Sequence, residues 1–293
     1  MAPVFTKILL ATDGADDARL AARAAADLAG RSGAELHLVH AWSIAPPVAY
    51  PYELSVPDLP QILEDNAREI LAEEGRQIAD AGGKVTQQHL LQGRPAEMVV
   101  DLSQSIGADL IVVGSRGHGA VGRLILGSVA EGIVRCSRCP ILVVRGGPKA
   151  WPPTRLVIGT DGSPEADQAT ELALTIAVLI HASLLMVRVL PALPLSAEVD
   201  RNVREAMIGR LDELLARNAE TLRSRYDARL ETLATFGSPA RVLIEVADTD
   251  AETLLVVGSR GLGRIARLRL GSVSNDVLHA AHCPVLIVPP KEG

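Results

Sequence analysis

Two stretches of this chain set glycine, serine and arginine at a spacing that suits a phosphate ester. Gly114-Ser-Arg-Gly117 is followed after nine residues by Gly127-Ser128, and 144 residues further on Gly258-Ser-Arg-Gly261 is followed at the same distance by Gly271-Ser272. Each copy comes after a run of Ile, Leu and Val, as at the end of a buried strand. Glycines there let the backbone approach a ligand closely, and a serine opening the next helix completes an anion cradle. Asp13 and Asp161 stand at the end of another apolar run in each half, within Thr12-Asp13-Gly14 and Thr160-Asp161-Gly162. A carboxylate beside a phosphate cradle suits a ribose hydroxyl or a metal ion, and its other role is to cap the following helix. In the second half Ser163-Pro164 supplies a cap and leaves Asp161 without that role. In the first, Ala15 replaces the serine and Asp13 is itself a candidate cap.

Further cations surround the glycines: Arg116, His118 and Arg123 in the first half, and Arg260, Arg264, Arg267 and Arg269 in the second. Such local enrichment in an acidic chain fits a polyanionic ligand, although any single arginine reads better as solvated loop charge. Ser128-Val-Ala-Glu131 has the form of a capping box, while Ser272 keeps the cap and has Asn275 in place of the acid. Capping and phosphate contact are compatible, since both use a helix N-terminus.

Three other patterns carry less. Gly117-His-Gly-Ala-Val-Gly122 and Gly261-Leu-Gly-Arg-Ile-Ala266 match the dinucleotide fingerprint, but they follow the fourth strand of each half and lack the acidic residue about 20 positions on. Cys136-Ser-Arg-Cys139 resembles a redox motif at a helix end, with Ala280 at the position of Cys136 in the second half, and reads as an incidental thiol pair. His279, His282 and Cys283 form a weak metal-like cluster that reads better as a helix C-terminus.

The elements that must position these residues are themselves repeated. Ile8 to Gly14 returns as Leu156 to Gly162, Gly93-Arg-Pro-Ala96 as Gly237-Ser-Pro-Ala240, and Cys139 to Val144 as Cys283 to Val288. The chain therefore reads as a tandem duplication, with domains at 1–148 and 149–293 separated by the Pro- and Gly-rich stretch from Gly146 to Pro153. In the first half, apolar runs at 4–11, 35–41, 84–91, 109–114 and 140–145 read as strands, and 16–32, 59–81, 95–106 and 129–137 as helices. The second half repeats this with strands near 155–160, 183–190, 229–236, 252–258 and 284–289. Aliphatic strands alternating with helices predict an α/β fold: two tandem doubly wound domains, each a five-stranded parallel sheet with helices on both faces. Ligands of such sheets bind outside the carboxyl ends of the strands, where Asp13 or Asp161, His40-Ala41 or Arg188-Val189, and the glycine loops converge.

Composition narrows the class. A net charge of −6 argues against general nucleic-acid binding, and no apolar run reaches the roughly 20 residues of a membrane span. Three cysteines do not make a disulfide framework, and without a signal-peptide pattern the expected compartment is the cytoplasm. With 2% aromatic residues, the core must be packed by aliphatics and alanine.

These motifs, in this order, resemble the universal stress protein family in its tandem-domain form, over nearly the whole chain. The resemblance implies a Rossmann-like fold of the adenine nucleotide alpha hydrolase type, and binding of ATP, with Mg2+ as its companion ion. By position it implies that Asp13 and Asp161 contact ribose or metal, beside Ala11, Thr12, Gly159 and Thr160. Ala41 and Val189 would meet adenine through the backbone, Val113 and Val257 would flank it, and Gly114 and Gly258 would lie near ribose. Gly117, Gly127, Ser128 and Val129, with Gly261, Gly271, Ser272 and Val273, would hold phosphates. Ala11 and Gly159 depart from the family, where proline is common, as does Ala15, often serine.

Neither half contains the P-loop motif or a carboxylate placed by motif to activate water, so the expectation is a regulatory binding module in stress response, with weak hydrolysis at most. The alternatives are a nucleotide-dependent hydrolase or transferase, with His40 and His118 as bases in the first half, and a scaffold with vestigial sites. The family resemblance implies pairing of edge strands between the two halves as a pseudo-dimer, and association of two chains as a homodimer. The segment from Pro46 to Pro60 reads as a flap over the first site.

Overall fold

The computed structural model describes residues 4–44, 58–117, 126–147, 151–191, 197–261 and 270–290. His118, Arg123, Arg264, Arg267 and Arg269, most of both fingerprints, and most of the 46–60 segment lie outside them. The chain divides into two compact units, Met1–Arg145 and Gly146–Gly293.

Unit 1 runs β1 (Lys7–Ala11), α1 (Asp16–Ser32), β2 (Glu35–Trp42), α2 (Leu59–Asp80), β3 (Gln87–Gln92), α3 (Pro95–Ile106), β4 (Leu110–Gly114), α4 (Ser128–Cys136) and β5 (Ile141–Val144). All its strand pairs are parallel, in the order β3-β2-β1-β4-β5. Residues 8–11 of β1 and the whole of β4 and β5 are buried, as expected of a parallel sheet covered on both faces. Right-handed crossovers then put α1 and α2 on one face and α3 and α4 on the other, in line with the packing of α1 on α2 and α3 on α4. The face that α1 turns to the sheet is mostly alanine, with Ala18, Ala21, Ala22, Ala25 and Ala29 buried around Leu28, so the helix lies close to the strands without aromatic filling.

Unit 2 repeats the plan with β6 (Arg155–Gly159), α5 (Pro164–Ile180), β7 (Ser183–Leu190), α6 (Ala197–Arg225), β8 (Leu230–Phe236), α7 (Pro239–Ala247), β9 (Thr253–Gly258), α8 (Ser272–Ala280) and β10 (Val285–Val288). Its order is β8-β7-β6-β9-β10, again parallel throughout. Both units are therefore α/β, with helices on both faces of a five-stranded sheet.

Several local expectations need correction. The first strand begins at Lys7 rather than Val4, because Asp109 Oδ2 accepts from Thr6 N, Thr6 Oγ1 and Lys7 N at 2.6, 2.6 and 3.0 Å and turns the chain into the sheet there. The third begins at Gln87 rather than Lys84. Ser128 and Ser272 are not N-caps: Gly127 and Gly271 hold those positions, with no side-chain cap. The capping box is thus not formed, and Glu131 instead pairs with Arg135 at 2.8 Å.

The two aspartates are also less different than the sequence suggests. Ala15 is the N-cap of α1 and has no side-chain cap, whereas Ser163 Oγ caps α5 by accepting from Ala166 N at 3.2 Å. Asp13 Oδ1 nonetheless accepts from Ala15 N at 3.1 Å, and Asp161 Oδ1 from Ser163 N at 3.0 Å. Both carboxylates close the same turn ahead of the helix, a short-range bond characteristic of aspartate, so Asp161 is not released from backbone duty.

Candidate functional site

The strand order reverses between β1 and β4 in unit 1 and between β6 and β9 in unit 2, which leaves a crevice at the carboxyl ends of those strands. A cavity of about 680 Å3 occupies the first crevice and one of about 370 Å3 the second.

The larger cavity gathers its walls from four segments. The end of β1 gives Ala11, Thr12 and Asp13; β2 gives Val39, His40 and Ala41; β4 and its loop give Val113, Gly114, Arg116 and Gly117. Leu126 and the start of α4, with Gly127, Ser128 and Val129, complete it. The smaller cavity repeats these contributions as Gly159, Thr160 and Asp161, then Arg188 and Val189, then Val257, Gly258, Arg260 and Gly261, and then Gly271, Ser272 and Val273. Every residue singled out from the motifs as a ligand contact within the described residues borders its cavity.

Chemically, each cavity is bordered both by aliphatic side chains and by a helix N-terminus rich in backbone donors. Val39, Ala41, Ile70, Val99 and Val113 offer the first cavity an aliphatic slot for a flat, weakly polar group. Where α4 and α8 begin, the first backbone hydrogen bond of α4 runs from Glu131 N to Gly127 O, and that of α8 from Asn275 N to Gly271 O. The N–H groups of 128–130 and 272–274 are the orphan donors of those helices, aligned with the positive end of the helix dipole. The glycines of the motif first serve the protein itself. A Cβ on Gly117 would collide with Oδ2 of Asp13, and one on Gly261 with Oδ2 of Asp161, while a Cβ on Gly114 would run into the backbone of Asp17 and Ala18.

Beneath the first cavity lies a polar assembly that the sequence reading missed. Thr12 Oγ1 accepts from Gly14 N at 3.1 Å and donates to Glu74 Oε2 at 3.1 Å. Glu74 is buried on α2, and that burial pushes its carboxyl above the usual glutamate range, with the Thr12 bond opposing the shift. His40 Nδ1 lies 2.7 Å from the carbonyl oxygen of Thr12, which can only accept, so Nδ1 carries the proton. Asp17, also buried, accepts from Ser115 Oγ at 2.6 Å and from Arg116 Nε and a second guanidinium nitrogen at 2.9 and 3.1 Å. Arg116 is thereby committed to the protein, and the β4–α4 loop is tied to the start of α1.

The sequence held a trace of Glu74: it falls in the buried helical stripe Ala67, Leu71, Glu74 and Ile78 of α2. The minor motifs resolve simply. Cys139 is half-buried, and desolvation raises its thiol pKa, while Cys136 is exposed. His279 Nδ1 bonds Asn275 O at 2.8 Å, and His282 Nδ1 lies 3.1 Å from Asp248 Oδ2. Among the described residues, no group of three or more His, Cys, Asp or Glu is arranged to hold a metal, and no helix is long and apolar enough to cross a membrane.

Comparison with known proteins agrees with this architecture. The family model described as the universal stress protein family matches residues 5–145 and again 153–289. A universal stress protein of Mycolicibacterium smegmatis is 32% identical over 302 residues, covering 97% of each chain. One from Mycobacterium tuberculosis is 31% identical over 261 residues, covering 83% of this chain and 81% of its own. Among solved structures, a universal stress protein from Archaeoglobus fulgidus covers 98% of both chains with a TM-score of 0.68 at 19% identity, a likeness of fold. With two matched domains covering nearly its whole length, the chain belongs to the universal stress protein family and carries two such domains in tandem.

Proposed function

We propose that each unit binds one ATP molecule and that the chain acts as a nucleotide-responsive regulatory module rather than a fast enzyme. The observation that carries this reading is the convergence, twice in one chain, of an aliphatic slot, an aspartate and a helix N-terminus around a single crevice. The slot suits adenine, the carboxylate suits ribose hydroxyls, and the unbonded N–H groups of α4 and α8 suit phosphate oxygens. Mg2+, where it accompanies the nucleotide, neutralises phosphate charge, and Asp13 and Asp161 are the residues that would hold it.

The acid–base groups bordering the cavities support slow turnover. In the first, Asp13 and His40 each have one atom committed to the backbone, and in the second Asp161 is bound in the same way. Phosphoryl transfer also needs a positioned water or acceptor, and no dedicated base stands at the helix N-terminus bordering either cavity among the described residues.

The test is direct. Protein purified from its host, denatured and analysed by mass spectrometry should release adenine nucleotide, and calorimetry on stripped protein should show ATP binding. Asp13→Ala and Asp161→Ala should each weaken ATP at one site about tenfold or more, the usual consequence of losing a hydrogen bond to a charged group. A protein that neither retains nor binds nucleotide is a scaffold. A rapid, saturable ATPase abolished by Asp161→Ala is an enzyme.

A further inference from the structure

The two cavities share their aspartate, their glycines and their helix terminus, and they differ in their cations. In unit 1 the positively charged or chargeable side chains that border the cavity among the described residues are bonded within the protein. His40 donates to Thr12 O, and Arg116 grips buried Asp17 through two nitrogens. In unit 2 the same two positions hold Arg188 and Arg260, and both border the cavity. The strand register makes the equivalence firm: Lys7 pairs with Glu35 and Arg155 with Ser183, and five residues on from each partner lie His40 and Arg188.

Among the described residues, no hydrogen bond or ion pair ties either arginine as its counterpart is tied, and Arg188 lies within electrostatic reach of Asp167. Glu165 stands where Asp17 stands in unit 1, and among the described residues no hydrogen bond or ion pair joins it to Ser259 or Arg260. Ser259 Oγ, whose counterpart Ser115 bonds Asp17, is buried without a partner among the described residues. The longer glutamate thus fails to reproduce the clamp, and Arg260 stays exposed at the cavity mouth. Arg188 folds its guanidinium over the turn that follows β6, against Gly162 and next to the turn-closing Asp161. The second cavity is also the smaller, about 370 Å3 against about 680 Å3, so two guanidinium groups serve a tighter space.

Building on the nucleotide reading above, we propose that the unit 2 cavity is the charge-reading site of the chain. Arg188 and Arg260 both engage the polyphosphate, so this site separates nucleoside triphosphate from monophosphate, whereas the unit 1 site holds the nucleotide mainly through its nucleoside part. Guanidinium is suited to this task, because its planar donors pair with two phosphate oxygens at once and it is weakly hydrated. The chain then responds to phosphate number at one site and to adenine nucleotide as such at the other.

The experiment uses the full-length chain with one site silenced at a time, by Gly117→Leu in unit 1 or Gly261→Leu in unit 2. ATP, ADP and AMP affinities are measured by calorimetry at low and high salt. With unit 1 silenced, the ATP-to-AMP affinity ratio at the remaining site should exceed that of the other site by about tenfold or more, and should fall as salt screens the arginines. Arg188→Gln with Arg260→Gln should lower ATP affinity there by about ten- to hundredfold and AMP affinity far less. Arg188→His should move the ratio toward that of unit 1. If a silencing variant fails to fold, the unsilenced chain titrated with ATP and with AMP gives the same comparison. Its phosphate-discriminating class of sites should vanish in the double arginine variant. Equal ratios at the two sites, or equal losses of ATP and AMP on removing the arginines, would overturn the proposal while leaving nucleotide binding intact. Absence of any nucleotide binding would overturn both.

Discussion

Glu74 sits in an environment that its residue type does not favour. A glutamate buried beneath the first cavity is held, among the described residues, by a threonine hydroxyl, and its carboxyl titrates above the usual range because burial penalises the charged form. The folded state therefore binds this proton more tightly than the unfolded chain does. The stability it contributes is fully present below the unfolded glutamate value, near 4.3, and is lost as pH rises through the higher folded value. Glu74→Gln keeps an acceptor for Thr12 and removes the titration. In urea unfolding across that window, the variant should gain on the parent protein as pH rises, and a difference that stays flat with pH would contradict this account. Thr12 also holds Gly14 N, so the variant should leave the turn that carries Asp13 in place.

At the scale of elements, the contrast lies in how each glycine loop is fastened. The loop after β4 is tied to α1 through Asp17, Ser115 and Arg116, whereas the loop after β9 has no equivalent tie among the described residues. Arg116→Ala leaves Asp17 buried with only a serine partner and should destabilise unit 1 by about 2 kcal/mol, visible as a lowered denaturation midpoint. Arg260→Ala, at an exposed position, should stay within about 0.5 kcal/mol of the parent. Equal costs would show that the Asp17 clamp is not what fastens the loop. Sequence reasoning placed the strands, the crossover helices and the loops well, because continuous aliphatic runs and helical stripes state burial directly. It misread the helix starts, because Ser128 and Ser272 look like caps while the adjacent glycines take the cap position. The Asp17 clamp was illegible for a different reason: its partners lie 98 and 99 residues away, and only the sheet brings them together.

For the whole molecule, the repeat supplies two complete crevices, each assembled within its own unit. Native mass spectrometry of the loaded protein should therefore find two nucleotides per chain, falling to one in Asp161→Ala at a concentration that just saturates the parent. Each ligand should also stabilise the folded chain by mass action, about 2.7 kcal/mol at a hundredfold excess over the dissociation constant. A single nucleotide in the saturated parent would mean that one crevice does not bind. Every described residue that the motifs singled out as a ligand contact borders one of the two crevices. The motifs did not show that the crevices differ in volume, in acidity beneath the floor and in the freedom of their arginines. Those differences depend on side chains such as Glu74, Glu165 and Arg188, which belong to no motif.

The strand that brings Ala41 to the first cavity ends one residue later at Trp42, which pairs with Gln92 and accepts from Gly93 N through its carbonyl at 2.9 Å. The chain has only one other tryptophan, Trp151, buried at the start of unit 2. Unit 1 thus carries a built-in fluorophore one residue along the strand from the cavity-lining Ala41, over the Trp151 signal that Trp42→Phe would isolate. Stopped-flow emission should register ligand arrival at the first crevice and remain silent for the second, so the order in which the two sites fill can be timed without attaching a dye.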